Sequence, residues 1–143
     1  HFSSLAQEKK YIVETIRKLL EVVEPETICL VARTGKQLYE DYIPGLLNAS
    51  IDYLPLKPDT PDNAGGGIRL ATMHRVKGLE FHHVLIAGVN AGVIPWEGYQ
   101  KLEEIEQYDS ELQERCLFHV ACTRARDTLT ITSYGIRSKF LGG

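Results

Sequence analysis

The sequence predicts an α/β fold, a parallel sheet with helices on both faces. Three observations lead there. Short apolar runs recur along the chain: TICLVA at 27–32, IRLAT at 68–72, HVLIA at 83–87 and TLTIT at 128–132. The first of these is apolar almost throughout, as a strand buried on both faces must be. Segments with helical spacing fall between the runs, and strands alternating with helices are joined most simply in parallel.

Each element has its own signal. From Gln7 to Val23, apolar residues at Ile12, Val13, Ile16, Leu19 and Leu20 mark one face of a helix, with Glu and Lys on the other, and Pro25 stops it. The first strand follows at Thr27–Ala32. Thr34-x-x-Gln37 is a capping box that opens a helix reaching about Asn48. Ile51–Leu54 reads as a further strand. Pro55–Gly67, PLKPDTPDNAGGG, is an exposed linker by its Pro, Asp and Gly content. Ile68–Thr72 and His83–Ala87 are strands, and Gly88–Pro95 is a loop. The acidic run from Lys101 to Glu114 contains a second capping box, Ser110-x-x-Gln113, from which a helix is expected to run to about Arg124. Thr128–Thr132 is the last strand.

The 143 residues suit one domain of ordinary size. With 43% hydrophobic and 24% charged residues, the chain is expected to fold around a core. A net charge of −3 neither favours nor excludes nucleic acid, because a local basic patch can bind phosphate on an acidic protein. No apolar run approaches the ~20 residues that span a bilayer. The start, HFSSLAQEKK, lacks the basic-then-apolar order of a signal peptide. Cys29, Cys116 and Cys122 are an odd and low count that fits a reducing compartment. A cytoplasmic protein with no membrane partner is the expectation.

Two stretches carry the candidate chemistry. TMHRVKGLEF at 72–81 sets His74, Arg75, Lys77 and Glu80 between two buried strands. Gly78 lets backbone approach a ligand, Glu80 can accept from ribose hydroxyls, and Thr72, His74, Arg75 and Lys77 can donate to phosphates. Taken alone, the stretch reads first as an ordinary solvated turn with Arg75 and Lys77 in water. ERCLFHVACTRAR at 114–126 puts Arg124 and Arg126 at the end of a helix. The helix dipole alone favours cations there, by about 0.3–1 kcal/mol. The same position can also present a guanidinium to a transferring phosphoryl group. No phosphate loop is legible. Gly35-Lys36 has Leu30 where the loop needs glycine and Gln37 where it needs Ser or Thr, and Gly65-Gly66-Gly67 has no adjacent lysine. Cys116, His119 and Cys122 spread around a helix with no fourth ligand, so no metal site is expected. Trp96 either stacks on a base or anchors its loop.

The two stretches in this order resemble a known family. TMHRVKGLEF followed by HVLIAGVNAGVIP is similar to motif V of the UvrD/Rep-like superfamily 1 DNA helicases, Thr-x-His-x-x-Lys-Gly-Leu-Glu-Phe and its following strand. ERCLFHVACTRAR resembles their motif VI, Glu-Arg-x-Leu-x-Tyr-Val-Ala-x-Thr-Arg-Ala, with His119 in place of Tyr. ICLVARTGKQ resembles the earlier strand-and-arginine segment. The linker 55–67 stands where UvrD-type members of that family insert a whole extra domain, so the chain resembles a relative that lacks the insertion.

The resemblance implies a RecA-like fold of the P-loop NTPase type. It also implies that residues 1–143 are one C-terminal motor domain, a piece of a longer chain. In that family ATP lies between two motor domains, and the N-terminal one holds Mg²⁺ through its Walker motifs. By position, Arg124 is the catalytic arginine finger. Glu80 and Gly78 join it in binding the nucleotide, Thr72 and His74 face single-stranded DNA, and Arg33 is either a DNA-facing or a structural arginine. The implied partners are single-stranded DNA, the N-terminal motor domain and repair-complex proteins. A second reading keeps the fold without the chemistry, as a degenerate module clamping DNA or protein in a repair complex. The presence of both Glu80 and Arg124 argues against it.

Overall fold

A computed structural model describes residues 1–61, 64–96 and 103–142. Five parallel strands form one sheet in the order β2-β3-β1-β4-β5. They are β1 Ile28–Ala32, β2 Tyr53–Pro55, β3 Ile68–Thr72, β4 Phe81–Ile86 and β5 Ala125–Ile131. All five residues of β1 are buried. It lies at the centre, between β3 (Leu30 beside Leu70) and β4 (Leu30 beside Leu85). Alternate residues of these strands feed two cores, one on each face. Ile28, Leu30, Ile68, Leu70 and Leu85 point to one face, and Cys29, Val31, Ala71, Val84 and Ile86 to the other. Each fully buried aliphatic side chain contributes about 1.5–3 kcal/mol.

The first core is covered by α1, Leu5–Leu20, whose Ser4 side chain accepts from the Gln7 N–H and whose Ile12 and Ile16 are buried. A second helical segment completes that cover. It is α2, Gly35–Gln37, then a π-helical turn, Leu38–Tyr42, then α3, Ile43–Asn48. The predicted capping box is present in both directions, with Gln37 N–H donating to Thr34 Oγ1 at 3.2 Å and Thr34 N–H donating to Gln37 Oε1 at 3.3 Å. The π turn was not foreseen. Its signal is Pro44, which has no N–H for the preceding turn and whose ring would meet the carbonyl four residues back. Widening the turn so that Ile43 N–H bonds Leu38 O accommodates it without ending the helix.

The second core lies under α4, Glu104–Cys122. The expected start at Ser110 is corrected. The helix begins six residues earlier, after Glu103, whose side chain makes no capping bond. Ser110 sits mid-helix because Phe118 and Ala121 bury only the far half, and the first turns extend the helix away from the sheet. Those turns leave Ile105, Tyr108 and Leu112 exposed. The Lys101 end of the acidic run lies outside the described residues.

Within the linker, Gly67 closes tightly on β2. Its φ is +111°, and a Cβ there would sit 2.1 Å from the Asp52 carbonyl oxygen. Buried Arg69 donates to the carbonyls of Ala64 and Gly67, so the short connection is fastened to β3 by the strand's own guanidinium.

Candidate functional site

Both motifs lie on connections that run back along the sheet. β3 ends at Thr72, level with Ala32 at the carboxyl edge, while β4 begins at Phe81, level with Ala125 at the amino edge. Residues 73–80 therefore descend the full height of the sheet, held to the second core by Met73 and Val76, both fully buried. The turn is bonded stepwise. Arg75 N–H donates to Thr72 Oγ1 at 3.1 Å, Val76 N–H to Thr72 O at 3.0 Å, and Leu79 N–H to Val76 O at 3.0 Å. A loop that leaves a parallel strand is expected to lie at the carboxyl edge, where ligands bind open parallel sheets. Only Thr72 and His74 stay there. Gly78 and Glu80 are carried to the opposite edge, because a parallel β4 must start from it.

α4 makes the same descent, and Arg124 follows its last turn directly. There the two motifs meet. Phe81 N–H donates to Arg124 O at 3.0 Å, and Arg124 Nη1 lies 3.4 Å from Leu79 O. Both chain neighbours of Glu80 are thus bonded to Arg124. The guanidinium also caps its own helix, donating from Nε to Val120 O at 3.2 Å, where carbonyls lack intrahelical partners. Nη2 donates to Thr123 Oγ1 at 3.2 Å. Glu80 is exposed on the rim of a cavity of about 360 Å³ shared with Lys57, Arg69 and Arg75. Gly78 has φ +84° and open space where a side chain would stand, so glycine is set by the backbone and not by crowding.

The carboxyl edge holds a different cluster. His74 is exposed and shares a cavity of about 570 Å³ with Lys77, Trp96, Glu114, Leu117 and Val120. Arg33, just after β1, is engaged on both sides. Its Nε and Nη2 donate to the two Glu114 carboxylate oxygens at 3.0 and 2.5 Å, and its guanidinium carbon lies 5.7 Å from the Trp96 ring centre. Trp96 N–H donates to the same carboxylate at 3.2 Å. Trp96 is therefore anchored through its backbone while its ring stays nearly half exposed.

Cys116 is exposed and Cys122 half-buried, and burial pushes the Cys122 thiol above its usual range. Among the described residues, no group of three or more His, Cys, Asp or Glu side chains is placed to hold a metal ion. His83 is buried and bonded to Thr128 Oγ1 at 2.7 Å, and His82 to Asp127 at 2.8 Å, both across the β4–β5 pair.

Sequence reasoning missed two carboxylates. Glu8 is fully buried in α1, accepting from Tyr42 Oη at 2.6 Å and from Gly88 N–H at 3.0 Å. Burial, and then the Glu8 charge, push the Tyr42 hydroxyl far above its usual range, so it remains the donor. The signal was spacing, since Glu8 lies four residues before Ile12 and eight before Ile16, on the apolar stripe. Glu114 likewise falls four residues before Phe118 and seven before Ala121, on the buried face of α4.

The chain is similar to known proteins. Residues 39–135 match the family described as UvrD-like helicase C-terminal domain. The chain is 38% identical over 96 residues to the ATP-dependent DNA helicase PcrA of Bacillus subtilis, covering 66% of this chain and 12% of that protein. It is 32% identical over 99 residues to the ATP-dependent DNA helicase UvrD1 of Mycobacterium leprae, covering 67% of this chain and 12% of that one. A probable DNA helicase II homolog of Mycoplasma genitalium matches at 40% over 72 residues, half of this chain and 10% of its own length. The chain thus spans about a tenth of these relatives. In fold, it matches the crystal structure of the C-terminal domain of a possible DNA helicase from Lactobacillus plantarum. The TM-score is 0.72 at 18% identity, over 99% of this chain and 75% of that one. With the family's pattern running through both motifs, the chain belongs to the UvrD-like helicase C-terminal domains.

Proposed function

We propose that this chain is the second motor domain of an ATP-dependent DNA helicase or translocase, and that its chemistry is completed by a companion N-terminal motor domain. The observation that carries this is the meeting of Glu80 and Arg124 at the amino edge of β4 and β5, tied together through Leu79 and Phe81.

That edge fits half of a nucleotide site. Glu80 offers exposed carboxylate oxygens to ribose hydroxyls, Gly78 leaves open backbone, and Arg124 is a cation held by a rigid helix end. Among the described residues no group of three or more metal-ligating side chains is placed together, and the sequence holds no phosphate loop, so Mg²⁺ and the phosphate loop are assigned to the companion domain. ATP bound between the two supplies the phosphoryl transfer that drives their relative motion. Arg124 acts as the arginine finger, stabilising charge only when the cleft is shut. At the other edge, Thr72, His74 and Arg33 form part of the single-stranded DNA track. The pathway reading, DNA repair alongside partner proteins, rests on the family resemblance.

Two experiments test this. The isolated chain is expected to hydrolyse no ATP and to bind single strands weakly. DNA-stimulated turnover by this chain alone would refute the division of labour. In the intact enzyme, Glu80→Ala is expected to raise the KM for ATP about tenfold, the loss of roughly 1.4 kcal/mol of binding, with kcat much less affected. Unchanged ATP kinetics combined with lost DNA binding would move Glu80 to the other site.

A further inference from the structure

We propose that Arg33 and Glu114 form a latch that a DNA phosphate opens, Glu114 being the internal stand-in for that phosphate. The inference rests on the proposed DNA-binding function and adds a regulatory step to it.

The geometry is that of a bidentate carboxylate–guanidinium pair, with both oxygens engaged. The two side chains are only 13% and 12% exposed, so the pair is shielded from solvent competition. A phosphate presents the same two-oxygen face to a guanidinium fork, which makes it a direct competitor for Arg33. The approach exists, because Glu114 and Trp96, the two partners of Arg33, both line the cavity of about 570 Å³ at the carboxyl edge. His74 and Lys77 line it too, on the side where a nucleic-acid backbone is expected to arrive.

The position of Glu114 gives the latch its consequence. It lies ten residues before Arg124 on the same helical course, about 15 Å at 1.5 Å per residue. α4 is therefore pinned at its middle, through a single carboxylate, to Arg33 after β1 and to the Trp96 backbone, while its far end carries the Arg124 guanidinium. When phosphate takes Arg33, Glu114 loses the cation that neutralises it, and the middle of α4 is freed from the end of β1. Occupancy of the DNA edge is thereby felt at the nucleotide edge.

The sign of one variant separates a latch from a scaffold. In the intact enzyme, E114Q removes the competitor while keeping the side chain's size. Binding of a fluorescein-labelled oligothymidylate is expected to tighten about fivefold, with the slope of log K against log salt steeper by about 0.7 for one further phosphate contact. DNA-free ATPase is expected to rise, so that stimulation by DNA shrinks. E114D keeps the charge but shortens the reach, and is expected to give a smaller gain in the same direction. In an R33A background, E114Q is expected to give no gain. If E114Q and E114D, folded and of unchanged helix content, bind the oligonucleotide equally or more weakly, Glu114 is a scaffold and the latch is overturned. A gain that persists without Arg33 overturns it as well, reducing the effect to net charge. If the wild-type enzyme itself binds no single strand, the helicase reading fails first and takes the latch with it.

Discussion

Replacing Arg124 by alanine in the intact enzyme is expected to lower DNA-stimulated ATP turnover by about 10³-fold or more, while leaving single-strand affinity nearly unchanged. That factor corresponds to about 4 kcal/mol of transition-state stabilisation. The expectation follows from where the guanidinium stands. It is at the amino edge beside Glu80, at the opposite edge from Thr72, so its loss is expected to fall on ATP turnover rather than on DNA binding. Arg124→Lys is expected to recover little, because an ammonium cannot reproduce the planar fork. The variant also loses bonds to Val120 O and Leu79 O, so its melting transition must be measured alongside. A fall in turnover below about tenfold in a stably folded variant would place the finger on another residue.

The second large effect is on stability. Glu8→Ala leaves the Tyr42 hydroxyl and the Gly88 N–H buried without acceptors, each costing about 1–3 kcal/mol. A loss of about 3 kcal/mol is expected, lowering the thermal midpoint by about 10 °C in a domain of this size. The neighbourhood cannot collapse to close the gap. Gly88 holds φ +67° with its missing Cβ position 2.9 Å from Tyr42 Oη, so backbone and ring are already in contact. Glu8→Gln keeps one acceptor and the side chain's volume, and is expected to lose only about 1 kcal/mol. A denaturation curve for Glu8→Ala within about 0.5 kcal/mol of wild type would show that water satisfies both donors.

Much of the architecture was readable one residue at a time. β3 begins and ends where its apolar run does, at Ile68 and Thr72, and the Thr34–Gln37 box forms in both directions. These are local effects, set by side chains bonding or burying within a few positions. The failures at Glu8 and Arg33 come from groups that are distant along the chain, and the one at Ser110 does not. Ser110-x-x-Gln113 has the letters of a cap, but α4 had already begun at Glu104. Glu8 reads as a surface acid until Tyr42 and Gly88, 34 and 80 residues away, converge on it. Arg33 reads as a DNA-facing or structural arginine with no named partner until Glu114, 81 residues on, pairs with it.

For the site, the sequence by itself determined the inventory: which residues belong to the two motifs, their order, and the family that uses them. It could do so because motif chemistry depends on residue types at short, fixed spacings. The tertiary structure alone decided the assignment to edges. Parallel pairing of β1, β3 and β4 forces residues 73–80 and α4 to run against the strands. Thr72 and His74 are left at one end, while Glu80 and Arg124 are brought together at the other. Strand direction is fixed by pairing between segments far apart in sequence, and no pattern within TMHRVKGLEF encodes it.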